Sequence, residues 1–173
     1  MKKQAHCAVC LSLTVMLLSA LSVHAPSFAQ SAPASHGTVL VVPDDLQREA
    51  AQAQAAGEPL VLMFSLPDCP YCKVVRNHYL LPMLREADAA HLPVIRELQI
   101  TSGKSLPGFD GVRTTQAAVA KHYGVRVAPT LVFVDATGQP LTDPIIGGDG
   151  HGFYSAYLDR AFAEARKNLK ARR

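Results

Sequence analysis

The chemistry of this chain is concentrated in Cys69-Pro70-Tyr71-Cys72. Two cysteines separated by two residues can hold a disulfide, a dithiol or half of a metal site. A thiol attacks only as thiolate, and a helix N-terminus stabilises that anion through unpaired N–H groups and the positive end of the dipole. The gain is large: about 3% of a cysteine with a pKa of ~8.5 is thiolate at pH 7, against about 90% for one lowered to ~6. Cys69 is the expected nucleophile. Cys72, one turn further, is placed to attack a mixed disulfide at Cys69 and close the ring. A structural pair and a zinc half-site are the other readings. A closed zinc site needs four ligands. His36, His78, His91, His122 and His151 are available, but no His-x₃₋₅-His spacing joins them.

The neighbouring sequence is built to place these sulfurs. Leu60 to Phe64 is a continuous apolar run of strand length, as expected for a strand covered on both faces. A helix is predicted from about Pro70 to Ala89. Pro70 suits its first turn, where a missing N–H costs nothing. Val74, Val75, His78, Leu81 and Leu84 fall near one stripe, with His78 on its inner or flanking side, and Pro82 should kink or split the helix. Tyr71 either touches a substrate or covers the site.

The chain has 173 residues, which suits one domain with a full core. Its first part reads as a leader. Lys2-Lys3 precedes an apolar run from Leu11 to Val23, and Ser27-Phe28-Ala29 offers a cleavage site after Ala29. Residues 1–29 are therefore expected to be a signal peptide, an uncleaved anchor being the alternative. Cys7 and Cys10 precede the apolar run, which argues against a lipoprotein. Loss of Lys2 and Lys3 lowers the formal charge from +3 to +1, and nothing in that balance points to nucleic acid. Of the four cysteines only Cys69 and Cys72 would then remain, in an oxidising compartment. A disulfide closing so short a loop adds little stability, so the pair is there for chemistry. No cofactor is expected.

Residues 30–37 read as a flexible tail and 38–173 as the domain. Val39 to Val42 is a candidate strand. Asp44 or Asp45 caps a helix running to about Ala56, which Gly57 ends. Val94 to Ile100 is a strand. Thr101 to Gly111, with three glycines and one proline, reads as a loop. Thr114 to Tyr123 is a helix capped by Thr114 or Thr115. Thr130 to Val134 and Pro144 to Ile146 are strands, and Phe153 to about Leu169 is the last helix. This order predicts an α/β fold, a mixed central sheet with helices on both faces.

Cys69-Pro70-Tyr71-Cys72 after an apolar strand resembles the thioredoxin superfamily, with the four-residue centre common in glutaredoxins. A second match is Tyr123-Gly124-Val125-Arg126-Val127-Ala128-Pro129-Thr130, leading into a strand, and Gly147 matches the glycine after the next strand. Within the superfamily the chain most resembles secreted bacterial proteins of the SoxW and DsbD C-terminal-domain type, with Leu106 to Thr115 as their helix-loop insertion. The resemblance implies a thioredoxin fold with the Ala128–Pro129 peptide cis. Ala128 and Pro129 would present backbone to an extended substrate beside Cys69, and Pro70 and Tyr71 would tune the potential. It departs at Met63, where thioredoxins carry a buried Asp, and at Asp68, where they carry Trp. Asp68 should oppose thiolate formation at Cys69 and Lys73 favour it.

The function implied is a periplasmic thiol–disulfide oxidoreductase. Its substrates would be disulfides of exported proteins, and its partner a membrane thiol donor of the DsbD type. A thiol oxidase or isomerase is the nearest alternative. A metal-binding or copper-delivery module is the alternative from another class.

Overall fold

The computed structural model describes residues 39–172 apart from 89, 90, 149 and 151. The expected leader, 1–29, and tail, 30–37, lie outside the described residues.

A four-stranded mixed sheet forms the centre. β1 (Leu60–Ser65) runs parallel to β2 (Val94–Gln99) and antiparallel to β5 (Thr130–Val134), which pairs with the edge strand β6 (Ile145–Ile146). β1 and β5 are buried at every position, and alternation sends their side chains to two separate cores. Val61, Met63, Leu131 and Phe133 face one core with α5 (Tyr154–Ala171), where Phe133 meets Phe162 edge to face at 5.0 Å. Leu60, Leu62, Phe64, Val132 and Val134 face the other, against α1 (Leu46–Ala56) and α4 (Gln116–His122). Cover on both faces is why these strands read as unbroken apolar runs rather than alternating ones.

Local signals set the helix ends. The Asp45 side chain accepts from Arg48 N at 3.0 Å and starts α1. Gly57 ends it at φ 73°, a left-handed position that glycine takes without steric cost. Thr115 Oγ1 accepts from Ala118 N at 3.2 Å and starts α4.

Three expectations are corrected. The helix after the cysteines is split, as expected of Pro82, but by a wider turn before the proline that shifts the expected buried stripe. It runs as α2 (Pro70–Val75), a π-helical turn (Arg76–Leu80) and α3 (Leu81–Glu86). Pro82 has no N–H and would crowd the carbonyl of residue 78 in a regular helix. The wider turn lets Leu81 N reach back five residues to Arg76 O, and the helix continues. Within and after the turn the buried positions are Leu80 and Leu81, while His78 faces solvent; Val74, before the turn, is exposed as well.

Thr101 to Gly111 is not a plain loop, and the segment to Thr115 is not a helix-loop insertion. β3 (Ser105–Pro107) and β4 (Arg113–Thr115) form a hairpin, pinned by the fully buried Leu106 and by Gly108 N donating to Val112 O at 2.8 Å. Val39 to Val42 does not form a strand. It makes one bridge, from Val41 to Arg96, and leaves Val39, Val41 and Val42 exposed.

Candidate functional site

The chain leaves β1 at Ser65 and turns into α2 within four residues. Asp68 makes the turn possible at φ 55°, a left-handed conformation that Asp tolerates better than most side chains because it can bond locally. Asp68 therefore has a backbone role that its charge alone did not reveal.

Cys69 is the N-cap of α2. Its Sγ accepts from Cys72 N at 3.1 Å, and Lys73 N donates to its carbonyl at 3.1 Å. Pro70 occupies the first helical position and is exposed. One of the free N–H groups of the helix end is thus already aimed at the sulfur, where a thiolate would gain most.

Cys69 and Cys72 are joined in a disulfide with a Cα–Cα separation of 5.2 Å. The two sulfurs are unequal. Cys69 is half-buried at the surface, whereas Cys72 is 1% exposed and packs with Val61, Met63 and Val75.

The segment before β5 closes the other side. The Ala128–Pro129 peptide is cis. Ala128 O lies 3.9 Å from Cys69 Sγ. Thr130 Oγ1 donates to Val127 O at 2.7 Å, and Gly147 N donates to Pro129 O at 2.8 Å, so neighbouring strands hold this segment. The structure brings Cys69, Cys72, Ala128 and Pro129 together. Tyr71 points outward, 61% exposed, and lies along Gly148: a Cβ there would come within 2.9 Å of Tyr71 Cβ. His78 is on the exposed side of the π-helical turn.

Sequence reasoning missed a charged pair on the face that carries Cys72. Met63 is fully buried there, and Glu97 stands beside it in register on β2. Glu97 shares its side of β2 with Ile95, a member of the same core as Cys72. Its carboxylate accepts from Arg76 Nε at 2.8 Å and from Arg76 Nη2, Arg76 sitting one turn beyond Cys72. The hydrogen bond to Glu97 raises the Arg76 pKa, against the effect of burial. Ser65 follows Met63 on that face, and its hydroxyl is buried without a hydrogen-bond partner. The parallel pairing of β1 with β2 was the signal available for Glu97, but register is not written in the sequence of either strand.

Among the described residues no group of three or more His, Cys, Asp or Glu side chains could hold a metal ion. The site offers a helix-capping sulfur facing solvent, a buried sulfur bonded to it and a backbone segment against both. That arrangement fits thiol–disulfide redox chemistry.

A family model described as a thioredoxin-like domain matches residues 46–148. The chain belongs to the thioredoxin-like family. Its architecture is the thioredoxin fold, a mixed sheet flanked by helices on both faces. Among solved structures, the chain is similar to thioredoxin O2 from Arabidopsis thaliana, at 16% identity over 72% of this chain and 92% of that one, with a TM-score of 0.48. It is similar to thioredoxin f from spinach chloroplast, at 20% identity over 76% and 96%, also with a TM-score of 0.48. The periplasmic thioredoxin SoxS from Paracoccus pantotrophus matches at 21% identity over 62% of this chain and 99% of that one, with a TM-score of 0.43. These are distant likenesses. No curated protein matches the chain by sequence.

Proposed function

We propose that this protein is an exported thiol–disulfide oxidoreductase that reduces or exchanges disulfides in other exported proteins. The observation that carries the reading is the inequality of the two sulfurs. A surface sulfur at a helix start is suited to first attack, and a buried sulfur within bonding reach is suited to resolution.

The Cys69 thiolate attacks one sulfur of a substrate disulfide, and the other leaves as a thiolate that takes a proton from solvent. The Cys72 thiol then gives up its proton, attacks Cys69 Sγ and expels the second substrate thiolate. Two electrons pass to the substrate, and the Cys69–Cys72 disulfide is left behind. Ala128 and Pro129 would hold the substrate chain extended beside Cys69. An external dithiol must restore the reduced pair. A membrane thiol transporter of the DsbD type, acting on a periplasmic protein of the SoxW and DsbD C-terminal-domain type, is the donor this reading assigns. The signal peptide expected at residues 1–29 supports that compartment. N-terminal sequencing of the exported protein should begin at Gln30.

Insulin-disulfide reduction tests the activity: the wild-type protein should be active, and Cys69→Ser should fall to background. Equal rates would refute catalysis. The potential of the pair tests direction. A reductase should lie toward about −270 mV, whereas a value near about −120 mV would make the protein an oxidase.

A further inference from the structure

The β3–β4 hairpin helps to enclose a hollow that the thiol chemistry does not use. The hairpin tip docks on the turn after β5: Phe109 lies so close to Gly138 that a Cβ there would come 2.6 Å from its ring. Tyr123, the C-cap of α4, donates its hydroxyl to Gly138 O at 2.7 Å and ties in the third element. Among hairpin, helix and turn lies a cavity of about 660 Å³. Small-molecule sites occupy roughly 300–1,000 Å³ and are mostly apolar with a few placed polar groups. Here the apolar wall is Leu46, Phe109, Val119 and Tyr123. The cavity is separate from the sulfurs. Leu46 and Val119 belong to the core on the α1 and α4 side of the sheet, and Cys72 to the other. The cis peptide precedes β5 and the turn follows it, so at about 3.3 Å per residue the two lie on the order of 20 Å apart.

Charge selects the occupant. Arg113 and His122 line the cavity, and neither side chain has an ion-pair or hydrogen-bond partner among the described residues. Elsewhere Arg76, Arg96, Arg166 and Arg172 each hold a carboxylate. The acids nearby are already engaged. Asp110, in the lining, accepts from Val112 N at 2.9 Å and shapes the hairpin tip, and Asp135 accepts from Arg172 at 2.6 Å. A carboxylate entering the cavity could take two parallel N–H donors from the Arg113 guanidinium and one from the His122 imidazole.

We propose that this cavity binds a small apolar molecule carrying a carboxylate, with its body against Phe109, Val119 and Tyr123 and its anion on Arg113 and His122. The site is a second one, independent of the Cys69–Cys72 pair and of the direction in which that pair passes electrons.

Three naphthalene probes of one size test this, read by backbone amide shifts in the isotope-labelled protein. Naphthoate should give saturable shifts at Gly108, Ala118 and Gly138, which line the cavity. It should bind about 10-fold more tightly than the neutral naphthamide, the low end of what a charged hydrogen bond contributes, and naphthylmethylamine should bind more weakly than either. Arg113→Ala should bring naphthoate and naphthamide within about two-fold of each other, and Arg113→Lys should keep a preference for the anion. Ala118→Trp, at an exposed position of α4 in the lining, should block all three probes and leave insulin-disulfide reduction unchanged. No saturable shift with naphthoate, equal affinity for naphthoate and naphthamide, a preference that survives Arg113→Ala, or shifts gathered around Cys69 instead would each overturn the proposal. So would a concentration-dependent dimer lost in Arg113→Ala, which would give the cavity to a second copy of the chain.

Discussion

Cys69 and Cys72 have only two residues between them, yet their surroundings share almost nothing. Cys69 caps a helix at the surface, with a backbone N–H on one side and the Ala128 carbonyl on the other. Cys72 is buried in a core that includes Val61, Met63, Val75 and Phe133. The first setting favours a thiolate, and the second penalises one. A single turn of helix therefore gives two identical side chains different tasks. Exchange needs that difference, because one sulfur must meet the substrate and the other must wait for it to be captured.

The comparison breaks most visibly if either sulfur is removed. Cys69→Ser should cost on the order of 10³-fold or more in disulfide reduction, since no other nucleophile stands at the helix start. Cys72→Ser should instead accumulate a mixed disulfide at Cys69, visible by mass spectrometry. Removing the bed under Cys72 comes next. Phe133→Ala deletes a fully buried ring and its edge-to-face partner, and should lower stability by about 3–5 kcal/mol in urea unfolding. The turn that delivers Cys69 is worth less. Asp68→Ala should destabilise the protein by about 1 kcal/mol, and Asp68→Gly should be neutral or stabilising, because glycine takes a positive φ freely.

The smallest effect sharpens the comparison by falling away from both sulfurs. Burial would raise the Asp135 pKa, but hydrogen bonds from Thr137, Arg172 and the backbone N–H groups of Gln139 and Thr137 together lower it. A lowered pKa contributes stability above the unfolded value of about 3.9 and loses it as pH falls through the folded value. Arg172→Ala should therefore cost within about 1 kcal/mol at pH 7 and less at pH 3, in paired unfolding curves. Thiol reactivity at Cys69 should not change.

What could be read in advance was what repetition or chemistry writes locally. β1 and β5 announce themselves because both faces are covered. The cysteines and Pro129 stand out because the two motifs, in that order, resemble those of the thioredoxin superfamily. Features set by long-range fit were not legible. The π-helical turn moved the buried stripe from His78 to Leu80, and nothing in a periodic pattern marks where a helix will widen. The β3–β4 hairpin was hidden because three-residue strands are too short for alternation to register. Val39 to Val42 has strand composition but finds only one bridge at the edge of β2. Asp68 looked like an electrostatic opponent of Cys69, and its dihedral angle gives it a different role. Glu97 and Arg76 meet only because β1 and β2 are in one register rather than another.

Alkylation of the reduced protein with iodoacetamide across pH, read at each cysteine by peptide mapping, measures the two settings separately. Cys69 should label with a midpoint below the ~8.5 of a free thiol, while Cys72 stays protected until the protein unfolds. Labelling of Cys72 as fast as Cys69, or a Cys69 midpoint at or above ~8.5, would contradict the division of labour drawn from their surroundings.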